Sequence, residues 1–366
     1  MAIHTPPGGR NMSLDQEKQE RFVEHALGDL KGGMMMLMTN LGDRLGLFHA
    51  LAERPMTSRE LADATRLHER YVREWLSSVT CGGYVEYDPQ TQTYTLPPEH
   101  APVLVDAKSP VFFCGLYQEM AALWQILPKL KEKFRNGGGL AIEDYSREWW
   151  DGMERFTATW FENFLLQEWI PKANGLKQRL HDGAHVADVG CGRGQALVKL
   201  AETFPKMTAV GYDLSDTNLE GAKRLARDAG VADRIRFRKH DVHDGLPDQH
   251  DIAMTFDAVH DFKDPQRAFE GICRSLSDDG TYLLLEFRVG EHLEDNLGPI
   301  GAMFYAWSVT YCMTTSLGMG GVGLGTCGMS ESVVRKLADR AGFTRVEVVP
   351  FDNPFNKLYL AEKQAP

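Results

Sequence analysis

Three glycines stand together in the second half of the chain, in a pattern suited to binding a small ligand. A short, mainly apolar strand pattern at residues 185–189 leads into Gly190, Gly192 and Gly194, and residues 195–203 have the composition of a helix. Glycines at such a turn let the backbone approach a ligand, and free amides at the start of the helix stabilise a carboxylate. We therefore predict a strand, a glycine turn and a helix that hold a small molecule.

Asp188 lies in the predicted strand before the glycine turn, and it indicates which ligand is bound. A dinucleotide-binding turn of the form GxGxxG would place its third glycine at position 195, which is Gln195. The Asp188 carboxylate can accept a hydrogen bond, directly or through water, from the ammonium group of an amino-acid ligand, whereas it would repel a pyrophosphate. The turn therefore favours S-adenosylmethionine over NAD.

Two more acids stand at the ends of the next two predicted strands. Asp213 ends residues 207–213 and lies close to the spacing of about 20 residues expected for a carboxylate that binds ribose hydroxyls. Asp241 ends residues 235–241, where its carboxylate can accept a hydrogen bond from the adenine amino group while Val242 offers a backbone amide. A solvated acid at a strand end is the ordinary alternative for Asp213, but the convergence of three strand ends favours a single ligand site.

His260 and Glu286 follow the fourth and fifth predicted strands, near the place where the methyl group of such a ligand would project. Methyl transfer is an in-line displacement in which the protein positions two reactants. An imidazole that titrates near neutrality suits removal of a phenolic or enolic proton, and Glu286 would orient the ring. The alternative for His260 is a structural hydrogen bond.

A metal site is a competing interpretation of the same region, because neighbouring strand ends supply nitrogen and oxygen ligands. We nevertheless predict no metal, since Asp241 is assigned to adenine and His243 is expected to be solvated. Cys312 and Cys327 have apolar neighbours and are expected to be buried, inert thiols. The candidate ligands are His240, Asp241, His243, His260 and Asp261.

The first part of the chain reads as helices followed by a winged helix. Residues 19–51 form a long apolar helical pattern rich in methionine, which we interpret as a dimer surface rather than a promiscuous binding groove. A capped helix from Thr57 or Ser58, a second helix and a hairpin with strands 84–87 and 93–96 complete the pattern.

The charges of this winged helix test whether it binds DNA. Its two helices carry four arginines against four acids, and the chain as a whole has a net charge of -11. A protein that reads a DNA groove would show a basic excess. We therefore expect no nucleic-acid partner, and a DNA-binding regulator remains the alternative hypothesis.

Three segments are candidates for the walls of the acceptor pocket. Residues 111–130 and 148–180 read as helices rich in aromatic side chains, which form either a pocket for an apolar acceptor or plain core. Residues 298–328 combine aromatic residues with a glycine run that we interpret as a lid, the alternative being a flexible surface loop. Residues 344–350 and 357–362 read as two closing strands.

The motifs DVGCGRG, GYDLS and KHDVHD resemble those of class I S-adenosylmethionine-dependent methyltransferases, over the stretch from Ala184 to Lys363. The sequence beginning FDAVHDFKDP is similar to small-molecule O-methyltransferases, and the upstream half is similar to bacterial winged-helix methyltransferases of unassigned substrate. The resemblance implies a Rossmann-like α/β sheet of seven strands with an antiparallel last hairpin. It also implies that His260 is the catalytic base with Glu286 beside it, and it adds Leu214 and Asp257 to the donor site.

Two departures limit this resemblance. Phe262 stands where the plant-type enzymes have tryptophan, and the glycine run from Gly318 to Gly328 is not a feature of that group. The identity of the acceptor therefore does not carry over, and nitrogen, sulfur or carbon acceptors remain alternatives to oxygen. A protein that binds S-adenosylmethionine without methylating is a further alternative.

The cysteines and the apolar stretches of the sequence predict where the protein is located. The six cysteines form no CxxC pair, the N-terminus lacks the apolar core of a signal peptide, and no stretch of 18 apolar residues occurs. We therefore expect a cytoplasmic homodimer away from membranes.

The predicted organisation has four parts. They are a disordered tail (1–18), a winged-helix dimerisation domain (19–108), linking helices that line the cleft (109–180) and a catalytic domain (181–366) with 298–328 as its pocket insertion.

Overall fold

A computed structural model of the protein describes residues 14–363 and divides between Asp106 and Ala107 into two units. Of the predicted tail, residues 1–13 lie outside the described residues. The rest is helical from Gln16, three residues before the predicted start, because the Asp15 side chain caps the helix by accepting a hydrogen bond from the Lys18 N–H at 3.2 Å.

Gly46 divides the long helix predicted over residues 19–51 into two. Its φ of 72° is left-handed, a conformation that glycine adopts without strain, and the chain turns there. No helix within residues 14–363 is long and apolar enough to cross a membrane. The elements of the first unit are α1 (Gln16–Arg44), α2 (Leu47–Glu53), α3 (Ser58–Thr65), α4 (Glu69–Cys81), β1 (Glu86–Asp88), β2 (Thr93–Thr95) and α5 (Ala101–Leu104).

Local hydrogen bonds and one aromatic contact fix the winged helix. Thr57 and Glu60 form a reciprocal capping box at the start of α3. Trp75 of α4 stacks edge-on against Phe48, with ring centroids 5.1 Å apart, and donates its indole N–H to the Met38 carbonyl at 2.8 Å. The hairpin β1–β2 is antiparallel, and its first strand starts two residues later than predicted.

The second unit opens with helices that differ in detail from those predicted. The helix predicted over 111–130 begins at Cys114 and tightens into a 3₁₀ turn at Leu123–Ile126, and that predicted over 148–180 is π-helical at Phe161–Trp169 and breaks before Gly175. The α-helices are α6 (Cys114–Ala122), α7 (Leu127–Asn136), α8 (Arg147–Trp160), α9 (Ile170–Lys172) and α10 (Leu176–Asp182).

The seven-stranded sheet confirms the predicted fold. Its order is β5-β4-β3-β6-β7-β9-β8, in which β9 runs antiparallel to both of its neighbours and the other pairings are parallel. The strands are β3 (His185–Val189), β4 (Thr208–Asp213), β5 (Ile235–Lys239), β6 (His250–Phe256), β7 (Leu276–Phe287), β8 (Arg345–Val349) and β9 (Asn356–Glu362).

Helices cover both faces of this sheet, which explains why its central strands are almost wholly apolar. In β3 and β6, Val186, Ala187, Ile252 and Ala253 are completely buried. The order of the strands reverses between β3 and β6, where parallel sheets leave a crevice at the carboxyl ends of the strands. The helices that accompany the strands are α11 (Gln195–Thr203), α12 (Asp216–Asp228) and α13 (Pro265–Ser275).

The predicted pocket insertion is helical in its first half and then closely packed. It forms α14 (Pro299–Trp307), a π-helical turn and α15 (Met313–Gly318), and α16 (Glu331–Ala341) follows it. A Cβ added at Gly318 would lie 2.1 Å from the Leu140 carbonyl oxygen. The glycine therefore permits two backbone segments to touch, and the interpretation of the whole run as a lid stays a prediction.

Candidate active site

A cavity of about 310 Å³ opens at the carboxyl ends of the central strands, at the point where the strand order reverses. Most of the residues predicted to bind the donor line this cavity. Gly194 does not, because it begins α11 behind the turn, where a Cβ would lie 2.7 Å from the Phe237 ring. The predicted residues that line the cavity are Asp188, Gly190, Gly192, Asp213, Leu214, Asp241, Val242, Asp257 and His260.

The glycine turn is held by hydrogen bonds of its own backbone. The N–H of Gly190 donates to the Tyr212 carbonyl at 2.8 Å, and that of Gly192 donates to Asp213 Oδ2 at 2.9 Å. The amides of these two glycines are thus occupied, which corrects the expectation that they are free for a ligand. The space beside the Gly192 Cα is open, so the turn still allows a ligand to approach its backbone.

Asp188 has an unpaired buried oxygen at the cavity, and its predicted contact with an ammonium group stays a prediction. It is 2% exposed, and its Oδ1 is buried without a hydrogen-bond partner in the described structure. Burial, and secondarily the negative charge of Asp213, raises the pKa of Asp188 to about 8. Because buried polar atoms are almost always paired, this oxygen fits a site that a cationic ligand group completes.

Asp213 is fixed by the backbone on both sides. Its Oδ1 accepts the Ser215 N–H at 2.8 Å, and its Oδ2 accepts the Gly192 N–H. Burial raises its pKa despite these hydrogen bonds. The carboxylate thus braces the glycine turn and keeps further acceptor capacity for ribose hydroxyls, since each carboxylate oxygen can accept two hydrogen bonds.

Asp241 is already engaged by protein groups. Oδ1 accepts the backbone N–H of His243 at 3.0 Å and contacts the ring Nδ1, while Oδ2 pairs with Lys263 Nζ. Burial acts to raise the pKa of Asp241, but the hydrogen bonds from Lys263 and His243 outweigh it and lower the pKa to about 2. Three of about four acceptor positions are occupied, which leaves one for an adenine amino group.

His243 is not the solvated residue that was expected. It is 5% exposed, and its Nε2 accepts the Asp264 N–H at 3.1 Å while its Nδ1 contacts Asp241. The ring therefore links two loops. His240 contacts the Gly245 carbonyl, and of the five candidate metal ligands only His260 and Asp261 fall in one cluster of the described residues.

His260 is held by Glu286 in the predicted manner. The ring Nδ1 lies 2.7 Å from Glu286 Oε2, and Oε1 of the fully buried Glu286 accepts the Val259 N–H at 3.1 Å. Burial alone would lower the pKa of His260, but the negative charges of Asp261 and Glu286 hold it well above its ordinary value.

Asp261 and Cys312 complete a buried group around this ring. The His260 Nε2 lies 3.2 Å from Asp261 Oδ1 without the alignment of a hydrogen bond, so this oxygen has no hydrogen-bond partner in the described structure. Potential ligand atoms of His260, Asp261 and Cys312 lie within 4.8 Å of one another, which makes them the one metal-type cluster among the described residues. Burial, then the charge of Asp261, raises the pKa of the Cys312 thiol to about 12, which keeps it neutral.

Asp257 shows a contact that the sequence did not reveal. It has a left-handed φ of 46°, and the Asn356 side-chain amide donates to both of its carboxylate oxygens at 2.9 and 2.8 Å. Burial, reinforced by the charge of Glu286, raises its pKa to about 8. Asn356 comes from β9, so a distant part of the chain helps to shape the cavity.

Aromatic side chains from two predicted segments meet at the cavity. Trp149 and Tyr311 lie with ring centroids 4.9 Å apart, and the Tyr145 hydroxyl donates to the Thr310 carbonyl at 2.6 Å. Arg193 binds Asp151 at 2.9 Å and also contacts Glu154. The aromatic composition predicted the wall of the cavity, but no sequence motif predicted that Asp151 and Glu154 would bind Arg193 there.

Family models match both halves of the chain. Residues 33–106 match the Rv2258c-like winged HTH domain, and residues 180–342 match a methyltransferase domain. The mitomycin biosynthesis 6-O-methyltransferase of Streptomyces lavendulae is 23% identical over 276 residues, which cover 74% of this chain and 79% of that protein. The polyketide synthase ThaQ of Burkholderia thailandensis is 34% identical over 106 residues, which are 28% of this chain and only 5% of the synthase.

Solved structures share the fold over nearly the whole chain. An O-methyltransferase family protein from Burkholderia thailandensis superposes with a TM-score of 0.71 at 15% identity, covering 94% of this chain and 98% of that one. Human N-acetylserotonin methyltransferase in complex with SAM gives 0.68 at 17% identity, covering 97% and 100%. At these identities the likeness establishes the fold.

The fold, the cavity at the strand ends and the matching methyltransferase domain define the class of this protein: it is an enzyme that transfers methyl groups. More narrowly, it is an S-adenosylmethionine-dependent methyltransferase whose catalytic domain follows a winged helix-turn-helix domain.

Proposed function

We propose that the protein methylates an oxygen atom of a small aromatic or apolar acceptor, with His260 as the general base. The observation that carries this proposal is the 2.7 Å contact between Nδ1 of His260, which lines the cavity, and the fully buried Glu286, which does not. S-adenosylmethionine supplies a methyl group on a sulfonium, which is already activated for displacement. The protein therefore has to position the acceptor and take up its proton.

The donor side of the cavity, formed by Asp188, the glycine turn, Asp213 and Asp241, would hold the cofactor. Asp188 would receive the ammonium group at its unpaired oxygen, and Asp213 would receive the ribose hydroxyls. Asp241 and Val242 would face adenine. Leu214, Asp257, Gly190 and Gly192 line the same cavity and would complete the contacts.

His260 would accept the acceptor's proton at Nε2. The contact of Nδ1 with Glu286 fixes the orientation of the ring and stabilises the imidazolium that forms. The raised pKa of His260 means that the ring must first be deprotonated to act as a base. A cation in the cavity would lower this pKa and so favour the neutral, active ring.

The acceptor side of the cavity, formed by α6, α8 and residues 299–319, is rich in aromatic rings. Trp149, Trp150, Trp307 and Tyr311 line it, which suits a flat apolar acceptor. The Streptomyces relative is named as an O-methyltransferase, which supports oxygen as the acceptor atom.

A homodimer through α1 is part of the same proposal. Along this helix a series of large apolar side chains is exposed, although such a series is rare on a monomer. The cysteines are all free in the described structure, which supports a cytoplasmic location. The exposed residues are Phe22 (69%), Val23 (48%), Leu27 (59%), Leu30 (68%), Met34 (56%) and Leu41 (46%).

The proposal is tested by incubating the purified protein with S-adenosylmethionine and a panel of phenols, anilines and thiols of similar size. We expect S-adenosylhomocysteine to accumulate with the phenols, and NMR of the product to show a methyl ether. Calorimetric titration with S-adenosylhomocysteine, with NAD as the control, establishes the donor site independently. Methylation confined to the nitrogen or sulfur acceptors would contradict the oxygen assignment.

A further inference from the structure

Glu119 lies at a crossing of two helices in the wall of the cavity. Gly152 of α8 faces the backbone of α6 so closely that a Cβ there would be 2.6 Å from the Glu119 nitrogen, and a Cβ at Gly115 would be 2.5 Å from the Phe156 nitrogen. The helices can approach because both glycines lack side chains. Their contact brings Glu119 to the cavity, which it lines while being only 5% exposed.

One oxygen of the Glu119 carboxyl has no hydrogen-bond partner in the described structure. Its Oε2 is buried without a hydrogen bond, and burial by itself raises the pKa of Glu119 to about 8. Its neighbour Gln118 differs, because that side chain donates to Glu148 at 2.9 Å and accepts from Arg155 at 2.8 Å. The Arg155 guanidinium thus binds Gln118, whereas Glu119 lines the cavity.

The surroundings of Glu119 on the acceptor side are apolar. Leu116 and Met120, from the same helix, pack against the cluster that contains Trp149, and Tyr311 packs against this cluster as well. A carboxyl placed among such side chains loses its hydration, and this loss is recovered only when a ligand supplies a partner. The Glu119 carboxyl therefore favours an acceptor that is mostly apolar but carries one polar group.

The charge of the whole cavity indicates the sign of that group. Arg193, which lines the cavity, is already paired with Asp151 and Glu154. A cationic group beside Glu119 would favour the ionised carboxylate, whereas an anionic group would disfavour it. The acids that line the described cavity are Glu119, Glu154, Asp188, Asp213, Asp241, Asp257 and Asp261.

We propose that Glu119 determines acceptor specificity by binding a protonated amine, so that the enzyme methylates aromatic hydroxyl compounds that also carry a basic nitrogen. This inference rests on the proposed function. A neutral Glu119 carboxyl and a neutral amine reach the same ion pair by transfer of one proton from the carboxyl to the nitrogen. The aromatic body of the acceptor then lies among the rings of the acceptor side.

The test compares three phenols that differ in one arm: aminoethyl, hydroxyethyl or carboxymethyl. We expect the wild-type enzyme to methylate the aminoethyl phenol with a kcat/KM on the order of tenfold above that of the hydroxyethyl phenol, and the carboxymethyl phenol most slowly. Glu119→Gln should abolish the preference for the amine. Glu132→Gln, which removes an exposed charge on α7 outside the cavity, should retain it.

Binding measurements separate this inference from the proposed function. Calorimetric titration of the protein saturated with S-adenosylhomocysteine should show tighter binding of the aminoethyl phenol than of the hydroxyethyl phenol, and Glu119→Gln should remove the difference. If no phenol is methylated but this binding pattern holds, the proposed reaction fails and the amine site stands. Equal affinities in the wild type, or an amine preference that survives in Glu119→Gln, would overturn the amine site. Unchanged affinity of the variant for S-adenosylhomocysteine shows that it is folded.

Discussion

Asp213 and Glu119 are both acids that line one cavity, but their surroundings are opposite. Asp213 accepts hydrogen bonds from the Gly192 and Ser215 amides, whereas Oε2 of Glu119 has no hydrogen-bond partner in the described structure. The donor side is built from residues near one another in sequence, at the ends of adjacent strands. The acceptor side is assembled from helices far apart in the chain. On the proposed assignment, Asp213 is prearranged for the cofactor by its own hydrogen bonds, whereas Glu119, like Asp188 Oδ1, has a buried oxygen that a ligand must complete.

The largest expected effect is on kcat, when His260 at the junction of the donor and acceptor sides is replaced. His260→Ala should lower kcat by about 10²–10⁴-fold, the usual contribution of a general base. Affinity for S-adenosylhomocysteine, measured by calorimetry, should stay within about threefold, because the donor side keeps its own hydrogen bonds. A kcat close to that of the wild type would assign His260 a purely structural hydrogen bond with Glu286.

On the donor side, Asp213→Ala should weaken binding of S-adenosylhomocysteine by about 10- to 100-fold, as expected for loss of charged hydrogen bonds. The variant also loses the brace on Gly192. Trp150→Ala, which alters the acceptor wall, is the matched control and should raise KM for the acceptor while leaving the donor affinity unchanged. If both variants weaken the two ligands equally, the division into two sides is wrong.

The crossing of α6 and α8 offers a test of stability on the acceptor side. Gly152→Ala places a Cβ 2.6 Å from the Glu119 nitrogen and should lower the free energy of unfolding by about 1–3 kcal/mol, as overpacking does. Gly32→Ala is the control, since nothing lies within 4 Å of a Cβ at this exposed helical position, and it should stabilise α1 by about 0.5–1 kcal/mol. Urea unfolding followed by circular dichroism measures both. Equal effects would show that the crossing tolerates a side chain.

The smallest effect concerns pH. Because Asp261 and Glu286 outweigh the effect of burial and hold the pKa of His260 above 6.5, the neutral base is depleted at pH 6.5 and kcat/KM should rise as the pH increases through that pKa. Asp261→Asn removes one negative charge and should move the profile to lower pH. The same raised pKa stabilises the fold below pH 6.5, and this contribution is lost as the pH rises through the folded-state value. A profile that is the same in both proteins would show that Asp261 does not control the base.

The sequence predicted the donor side of the cavity better than the acceptor side. The strands, the glycine turn and the positions of Asp188 and Asp213 at the cavity were predictable because each follows from a local strand-turn-helix pattern, and the roles of these acids toward the cofactor stay predictions. The contact of His260 with Glu286 was implied by family resemblance. Cys312 is the buried, neutral thiol that its apolar neighbours predicted. Glu119 and the contact of Asn356 with Asp257 were not foreseen, since they depend on packing between distant segments.

His243 illustrates the limit of local reasoning. A histidine in a loop after a strand is ordinarily solvated, but this one is buried because the loop after β6 supplies the Asp264 amide to its Nε2. The break of the first long helix at Gly46 is different in kind. There a local signal was present, a glycine, but the apolar pattern continued across it.

The position of β9 has a consequence for the order in which the enzyme becomes active during synthesis. This strand pairs with β7 on one side and β8 on the other, although it follows both in the chain. Until residues 356–362 leave the ribosome, β7 keeps an unpaired edge and Asp257 lacks Asn356. We therefore expect chains interrupted before this strand to hold every motif of the donor site but to leave Asp257 without its Asn356 partner, so that catalysis waits for the sheet to close.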